Sequence, residues 1–194
     1  MEDKKFLSEI FKTENFSPEE LEVVHSQFSQ AIFQKNEFII NEGQLTQFYY
    51  FMESGYARSY AIDTEGKDVT TNFYSSRDIV IDWHSFFLKT VCRESIQALS
   101  TCTCWKITFE GFMKLFGMEA FREVGRTRLV NSYFHLKNHT VSMITDHARD
   151  RYLHLLREKP EIVQNVPLKH IATYLGITDT SLSRIRKEIQ AAIT

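Results

Sequence analysis

Little in this 194-residue chain is extreme. Its three cysteines, Cys92, Cys102 and Cys104, are an odd number, which argues against a disulfide framework. Cys102 and Cys104 alternate in a strand-like run, so both thiols are expected on one side, buried and structural. A metal or redox pair would need more ligands than the chain groups together. No internal repeat, low-complexity segment or floppy linker is visible. No apolar run approaches the roughly 18 residues of a membrane span. The stretch MEDKKFLSEIF is charged throughout and does not read as a signal peptide, so the cytoplasm is the expected location. Seven histidines are scattered without an HxH pair. His135 and His139 stand four apart on a helix and could hold a metal together, but no acidic partner is near. A haem would have to be held by one of these histidines or by Cys92. There is no P-loop, no Rossmann glycine motif and no Ser-His-Asp grammar, so neither an enzyme nor a resident cofactor is expected.

What is present is a chain able to build a core: 43% of residues are hydrophobic and 25% charged. The net charge is only −2, but it is unevenly divided. Residues 1–150 carry 16 Lys+Arg against 21 Asp+Glu (16 − 21 = −5), and residues 151–194 carry 7 against 4 (7 − 4 = +3). An acidic body with a mildly basic tail fits a polyanion-binding module attached to something else.

That tail holds the most informative stretch, residues 166–189, VPLKHIATYLGITDTSLSRIRKEI. Ile171, Ala172 and Leu175 mark the buried side of a short helix. Gly176 falls where the chain must reverse and tolerates positive φ. Thr178 is placed to cap a second helix, whose apolar face is Leu182, Ile185 and Ile189. The opposite face carries Asp179, Thr180, Ser183, Arg184 and Lys187. A small residue, a glycine four later and the following apolar pair are the packing pattern of a helix-turn-helix, which frees its second helix for a DNA major groove. The plainer alternative is an ordinary helical hairpin.

Upstream, residues 3–11 and 17–28 read as helices, the second opened by Ser17-Pro18-Glu19-Glu20 with its capping serine, N1 proline and glutamate at N3. From Ala31 to Thr108 come short β-rich runs separated by turn residues, which argue for a β-sandwich, roll or barrel. The aromatic residues are expected to fill its interior. Residues 109–116 form a short helix and 118–141 a long one, whose apolar positions cover more than one stripe. One stripe can face the roll, leaving Val130, Phe134 and Val141 as a seam for a second chain. Residues 146–159 form another helix, ended by Pro160.

A β-roll, a long helix, a further helix and a C-terminal helix-turn-helix, in that order, resemble the Crp/Fnr family of bacterial transcription regulators. RYLHLLREKP and VPLKHIATYLGITDTSLSRIRKEI are the most specific part and look like the branch common in Bacteroidetes-type bacteria. GYARSYAIDTEGKDVTTNFY resembles the paired strands in the middle of the family's roll. The resemblance implies an α+β fold in three spans. Residues 1–117 would be a double-stranded β-helix or jelly-roll, cyclic-nucleotide-binding-like, with N-terminal helices. Residues 118–144 would be a dimerisation helix, and 145–194 a winged-helix-type helix-turn-helix domain. It also implies a homodimer docking one recognition helix per half-site of a palindromic operator. The family's nucleotide pocket has a Gly-Glu pair and, about ten residues on, an Arg-Ser or Arg-Thr pair. Here those slots hold Ile81-Asp82 and Cys92-Arg93. The glycine is gone, Asp82 is a methylene shorter than Glu, and Arg93 is displaced by one. The effector is therefore expected not to be cyclic AMP, with Asp82 and Arg93 its candidate contacts.

Within the tail, Thr180, Ser183 and Arg184 are expected to reach base edges. Asp179 either accepts from a cytosine amine or favours the helix N-terminus as an anion. Lys169, Thr178, Ser181 and Lys187 are expected on phosphates. The competing function is a cyclic-nucleotide or other small-molecule sensor whose DNA contacts are vestigial.

Overall fold

In a computed structural model, which describes residues 4–12 and 15–193, two four-stranded antiparallel sheets face each other. Two helices precede them, α1 (Lys5–Ile10) and α2 (Pro18–Gln27). Asp3, expected in the first helix, lies outside the described residues. Ser17 closes a capping box with Glu20: the serine hydroxyl accepts from the Glu20 amide and the Glu20 carboxylate from the Ser17 amide.

The strands are β1 (Ser29–Phe33), β2 (Phe38–Ile40), β3 (Phe48–Ser54), β4 (Ala57–Ile62), β5 (Asp68–Tyr74), β6 (Ile79–Val80), β7 (Ser95–Ala98) and β8 (Cys102–Thr108). One sheet runs β1-β8-β3-β6 and the other β2-β7-β4-β5, a rolled double layer. Gly55 makes the β3–β4 turn possible. Its φ is +97°, and a Cβ there would collide with the Thr101 carbonyl and the Cys102 backbone.

The aromatic residues are divided differently from the sequence-based expectation. Strand β3 alternates faces, as the pleat requires. Tyr50 and Met52 point into the roll with Ile40, Tyr74, Val80 and Ile96. Tyr49 and Phe51 point outward, into a second core with Phe6, Phe11, Phe16, Phe28, Trp105, Phe112 and Phe121. Most phenylalanines therefore glue helices to the outside of the first sheet instead of filling the roll. Cys102 and Cys104 share the interior face, buried and free. Burial pushes the Cys104 thiol up to about 12.

A short helix the sequence reading missed, α3 (Trp83–Leu88), interrupts the roll before β7. Beyond the sheets come α4 (Phe109–Phe116), α5 (Glu119–Thr145), α6 (Ala148–Glu158), α7 (Pro160–Asn165), α8 (Leu168–Tyr174) and α9 (Asp179–Ile193). Pro160 ends α6 but also starts α7 at a first-turn position, where its missing N–H costs nothing. The wing expected of a winged helix is not seen among the described residues, none of which after Thr108 is in a strand. Residues 148–193 are patterned for helices, and no alternating run offers a hairpin.

Candidate nucleic-acid interface and effector chamber

The last two helices meet at Gly176, whose φ is +66°. The Ile177 amide donates to the Ala172 carbonyl and the Gly176 amide to the Thr173 carbonyl, the two bonds of a Schellman stop. Thr178 Oγ1 then accepts from the Ser181 amide at 3.2 Å, capping α9. Ile171, Ala172, Leu175, Leu182, Ile185 and Ile189 are buried together with Tyr152, Leu155 and Ile162 from α6 and α7. The α8 C-terminus is further held by Arg151, whose Nη2 donates to the Leu175 carbonyl at 2.8 Å. A guanidinium there also complements the negative end of the helix dipole.

On the other side of α9, Asp179, Thr180, Ser183, Arg184 and Lys187 are exposed, as are Lys169 on α8 and the cap residue Thr178. Arg184 is 76% exposed and stands only 3.9 Å from Glu188, one turn on, a loose pair that leaves its guanidinium able to reach elsewhere. Ser181 is half-buried, and its hydroxyl accepts from Thr178 Oγ1. Those two hydroxyls already serve the cap, so they are less free for a ligand than Ser183 or Thr180.

This tail is not a detached module. Helix α8 lies on β5. Thr173 Oγ1 accepts from the Thr70 amide and bonds its hydroxyl, both at 3.2 Å. Tyr174 packs on Phe73 with ring centres 5.1 Å apart, and His139 of α5 stacks on Tyr174 at 4.2 Å. Lys159 Nζ donates to Asp78 and to the Phe73 carbonyl at 2.8 and 2.9 Å. Beneath α8, the buried Arg58 guanidinium forks onto Asp68 at 2.8 and 3.0 Å and holds that carboxyl below its usual range. His170 faces this cation. Burial, then Arg58 and Lys169, push its pKa down to about 4, so the ring stays neutral. His170 Nδ1 and Arg58 Nε find no hydrogen-bond partner among the described residues. None of these cross-contacts was visible in the sequence, because their members lie as far apart as Thr70 and Thr173.

The roll interior is largely occupied. Phe33 and Phe48 pack edge-on or tilted against Tyr50. Burial raises the Tyr50 and Tyr74 hydroxyls to about 12, so both remain neutral donors. A pocket of about 200 Å³ beside Tyr50 is lined by Asn41, Gln44, Thr46, Gln47, Tyr50 and Cys92 among others. Its lining holds no charged side chain to neutralise a phosphate, and it is smaller than the roughly 300–1,000 Å³ usual for small-molecule sites. Asp82 is occupied elsewhere: its carboxylate accepts from the Ser85 amide at 2.8 Å and caps α3. Arg93 is exposed in the connection between α3 and β7. As they stand, these residues do not form a cyclic-phosphate cradle.

The seam residues are on the surface. Val130, Phe134 and Val141 are 40%, 55% and 42% exposed. At about 100° per residue they fall within roughly 40° of one another, opposite Phe121 and His139, which face the body. Tyr133 and Ile144 extend the same apolar side, both exposed.

Residues 31–118 match the cyclic nucleotide-binding domain family. No curated protein matches the chain. Among solved structures, FixK2 from Bradyrhizobium japonicum is similar, at TM-score 0.74 and 17% identity over 85% of each chain. A Eubacterium rectale protein assigned to the Crp/Fnr family of transcriptional regulators gives TM-score 0.71 and 15% identity, over 95% of this chain and 88% of that one. The c-di-GMP-responsive global regulator CLP of Xanthomonas campestris gives TM-score 0.68 and 16% identity, over 90% and 92%. The chain thus shares its overall fold with these solved structures, and residues 31–118 resemble a cyclic nucleotide-binding domain.

Proposed function

We propose that this chain is a Crp/Fnr-family transcription regulator of the Bacteroidetes-type branch, acting in the cytoplasm as a homodimer that reads a palindromic operator. In this reading residues 1–117 sense, 118–144 pair the chains, and 145–194 bind DNA. One observation carries the reading. Helix α9 buries Leu182, Ile185 and Ile189 while leaving Thr180, Ser183 and Arg184 exposed in its first two turns, the part of a recognition helix that meets base edges. Arg184 takes the guanine-reading role through two parallel hydrogen bonds, and Lys169 and Lys187 hold phosphates. Asp179 serves the helix N-terminus or a cytosine amine. An effector other than cyclic AMP, a reading supported by the absence of charge in the lining of the small pocket beside Tyr50, would shift the population between two settings of the α8–β5 contact. The recognition helices then move into or out of half-site spacing.

The second reading, a small-molecule sensor with a vestigial DNA module, draws on the domain match over residues 31–118. Fluorescence anisotropy of wild type and Arg184→Ala on an operator duplex separates the two. Loss of a bidentate base contact removes about 1–3 kcal/mol per half-site. The expected result is a loss of tenfold or more in affinity, with relaxed preference at one base of each half-site. Unchanged affinity and unchanged preference would refute the base-reading role.

A further inference from the structure

The pocket beside Tyr50 is built before anything enters it. Its rim, residues 41–47, is pinned to Cys92 through the backbone. The Gly43 amide donates to the Cys92 carbonyl and the Cys92 amide to the Gln44 carbonyl, both at 2.8 Å. A further bond runs from the buried Thr46 amide to Ser85 Oγ, also at 2.8 Å. Ser85 is fixed in turn by Asp82, whose carboxylate accepts from its amide. The rim therefore needs no reordering to receive a ligand, and such preorganisation favours binding.

One polar group in this pocket has no structural task. Tyr50 is only 6% exposed and lines the pocket, yet its hydroxyl bonds to no described residue. Buried hydroxyls are ordinarily paired. Tyr74, in the same core, shows the contrast, with Ser59 and Asn72 as its partners. The side-chain amides of Asn41, Gln44 and Gln47 also line the pocket, and none is bonded to a described residue. Burial pushes the Cys92 thiol up, so that group is uncharged as well.

These features set the chemistry of a ligand. At roughly 30 Å³ per water, 200 Å³ is the space of about six or seven waters. That admits one substituted ring and is too little for a nucleotide. A carboxylate or phosphate would be desolvated with no cation in the lining to pair it, which is costly. An amide or imide matches the side-chain amides both as donor and as acceptor, and Tyr50 supplies one donor more. Ile39, Ile40 and Phe48 provide an apolar wall for the ring.

We propose that this pocket binds a small uncharged molecule, a single ring bearing an amide or imide group. That such a molecule acts as the effector rests on the transcription-regulator reading; that it binds does not.

The test uses the full chain without DNA, so it stands whether or not the chain binds an operator. Uracil and nicotinamide are titrated by calorimetry, with nicotinate as the isostere that carries a charge. At least one neutral probe should bind saturably, one per chain, and nicotinate at least about tenfold more weakly than nicotinamide. Tyr50→Phe should weaken the bound probe about two- to tenfold, the range for one lost hydrogen bond. Because that hydroxyl is unpaired, the same variant should keep the wild-type melting temperature. Gln44→Ala/Gln47→Ala, at two exposed positions, should also weaken binding and leave the fold intact. Saturable binding of neither neutral probe, nicotinate binding as tightly as nicotinamide, or unchanged affinity in Tyr50→Phe would overturn the site. Adding the bound probe to the operator assay reads the effector role separately: unchanged DNA affinity would refute that role alone.

Discussion

Val130→Glu combined with Phe134→Glu is expected to leave a folded monomer. Both side chains are exposed in the single chain, so the substitutions remove little of its own core. In a symmetric α5–α5 seam each glutamate would be buried against apolar neighbours, and each change appears twice. Burying an unpaired carboxylate costs several kcal/mol even after relaxation. A total of only about 4 kcal/mol would weaken pairing a thousandfold. Sedimentation should therefore move from dimer to monomer, while the melting temperature at low protein concentration changes by no more than a few degrees. Operator binding should fall with it, because the second recognition helix is no longer held near the first half-site. A variant that sediments as wild type does, or a wild type that is already monomeric at micromolar concentration, contradicts the seam.

The second large effect concerns the body. Trp105→Ala should destabilise the chain by about 3–5 kcal/mol. Trp105 is fully buried between the first sheet and the N-terminal helices, and its Nε1 donates to Glu53 at 2.9 Å. Alanine leaves a large void and removes that donor from the half-buried Glu53. At about 2–4 °C per kcal/mol for a chain of this size, the melting temperature should drop by roughly 6–20 °C. Thermal unfolding followed by circular dichroism reads this directly. A drop of under 3 °C would mean that the helices are not anchored through this ring. Ile32, on the same sheet but 58% exposed, supplies the control, since Ile32→Ala should cost well under 1 kcal/mol.

These expectations divide according to how local their physics is. The turn between α8 and α9 was legible because its determinants sit within about twenty residues. Gly176 makes the turn, Thr178 caps, and Leu182, Ile185 and Ile189 face inward, all as their spacing requires. The strands were legible as runs, and the shared side of Cys102 and Cys104 followed from the pleat. What each strand faces was not legible, because both surfaces of the first sheet are apolar. Tyr49 and Tyr50 look alike in sequence yet lie in different cores. Helix α3 escaped because Asp82 was weighed as a candidate effector contact and not as a helix cap, the role its carboxylate takes toward the Ser85 amide. Helix α7 escaped because Pro160 read only as a stop. The contacts of α8 with β5, and of His135 with Glu158, join residues too distant for any spacing rule.

Selection of bound fragments from random duplex DNA by the intact chain tests the central claim most directly. A pair of identical readers related by a two-fold axis should recover an inverted repeat, with half-sites about one helical turn (10–10.5 base pairs) or a multiple of it apart. Arg184→Ala should blur one position in each half. Recovery of no common sequence, or of a single unrepeated motif, would contradict it.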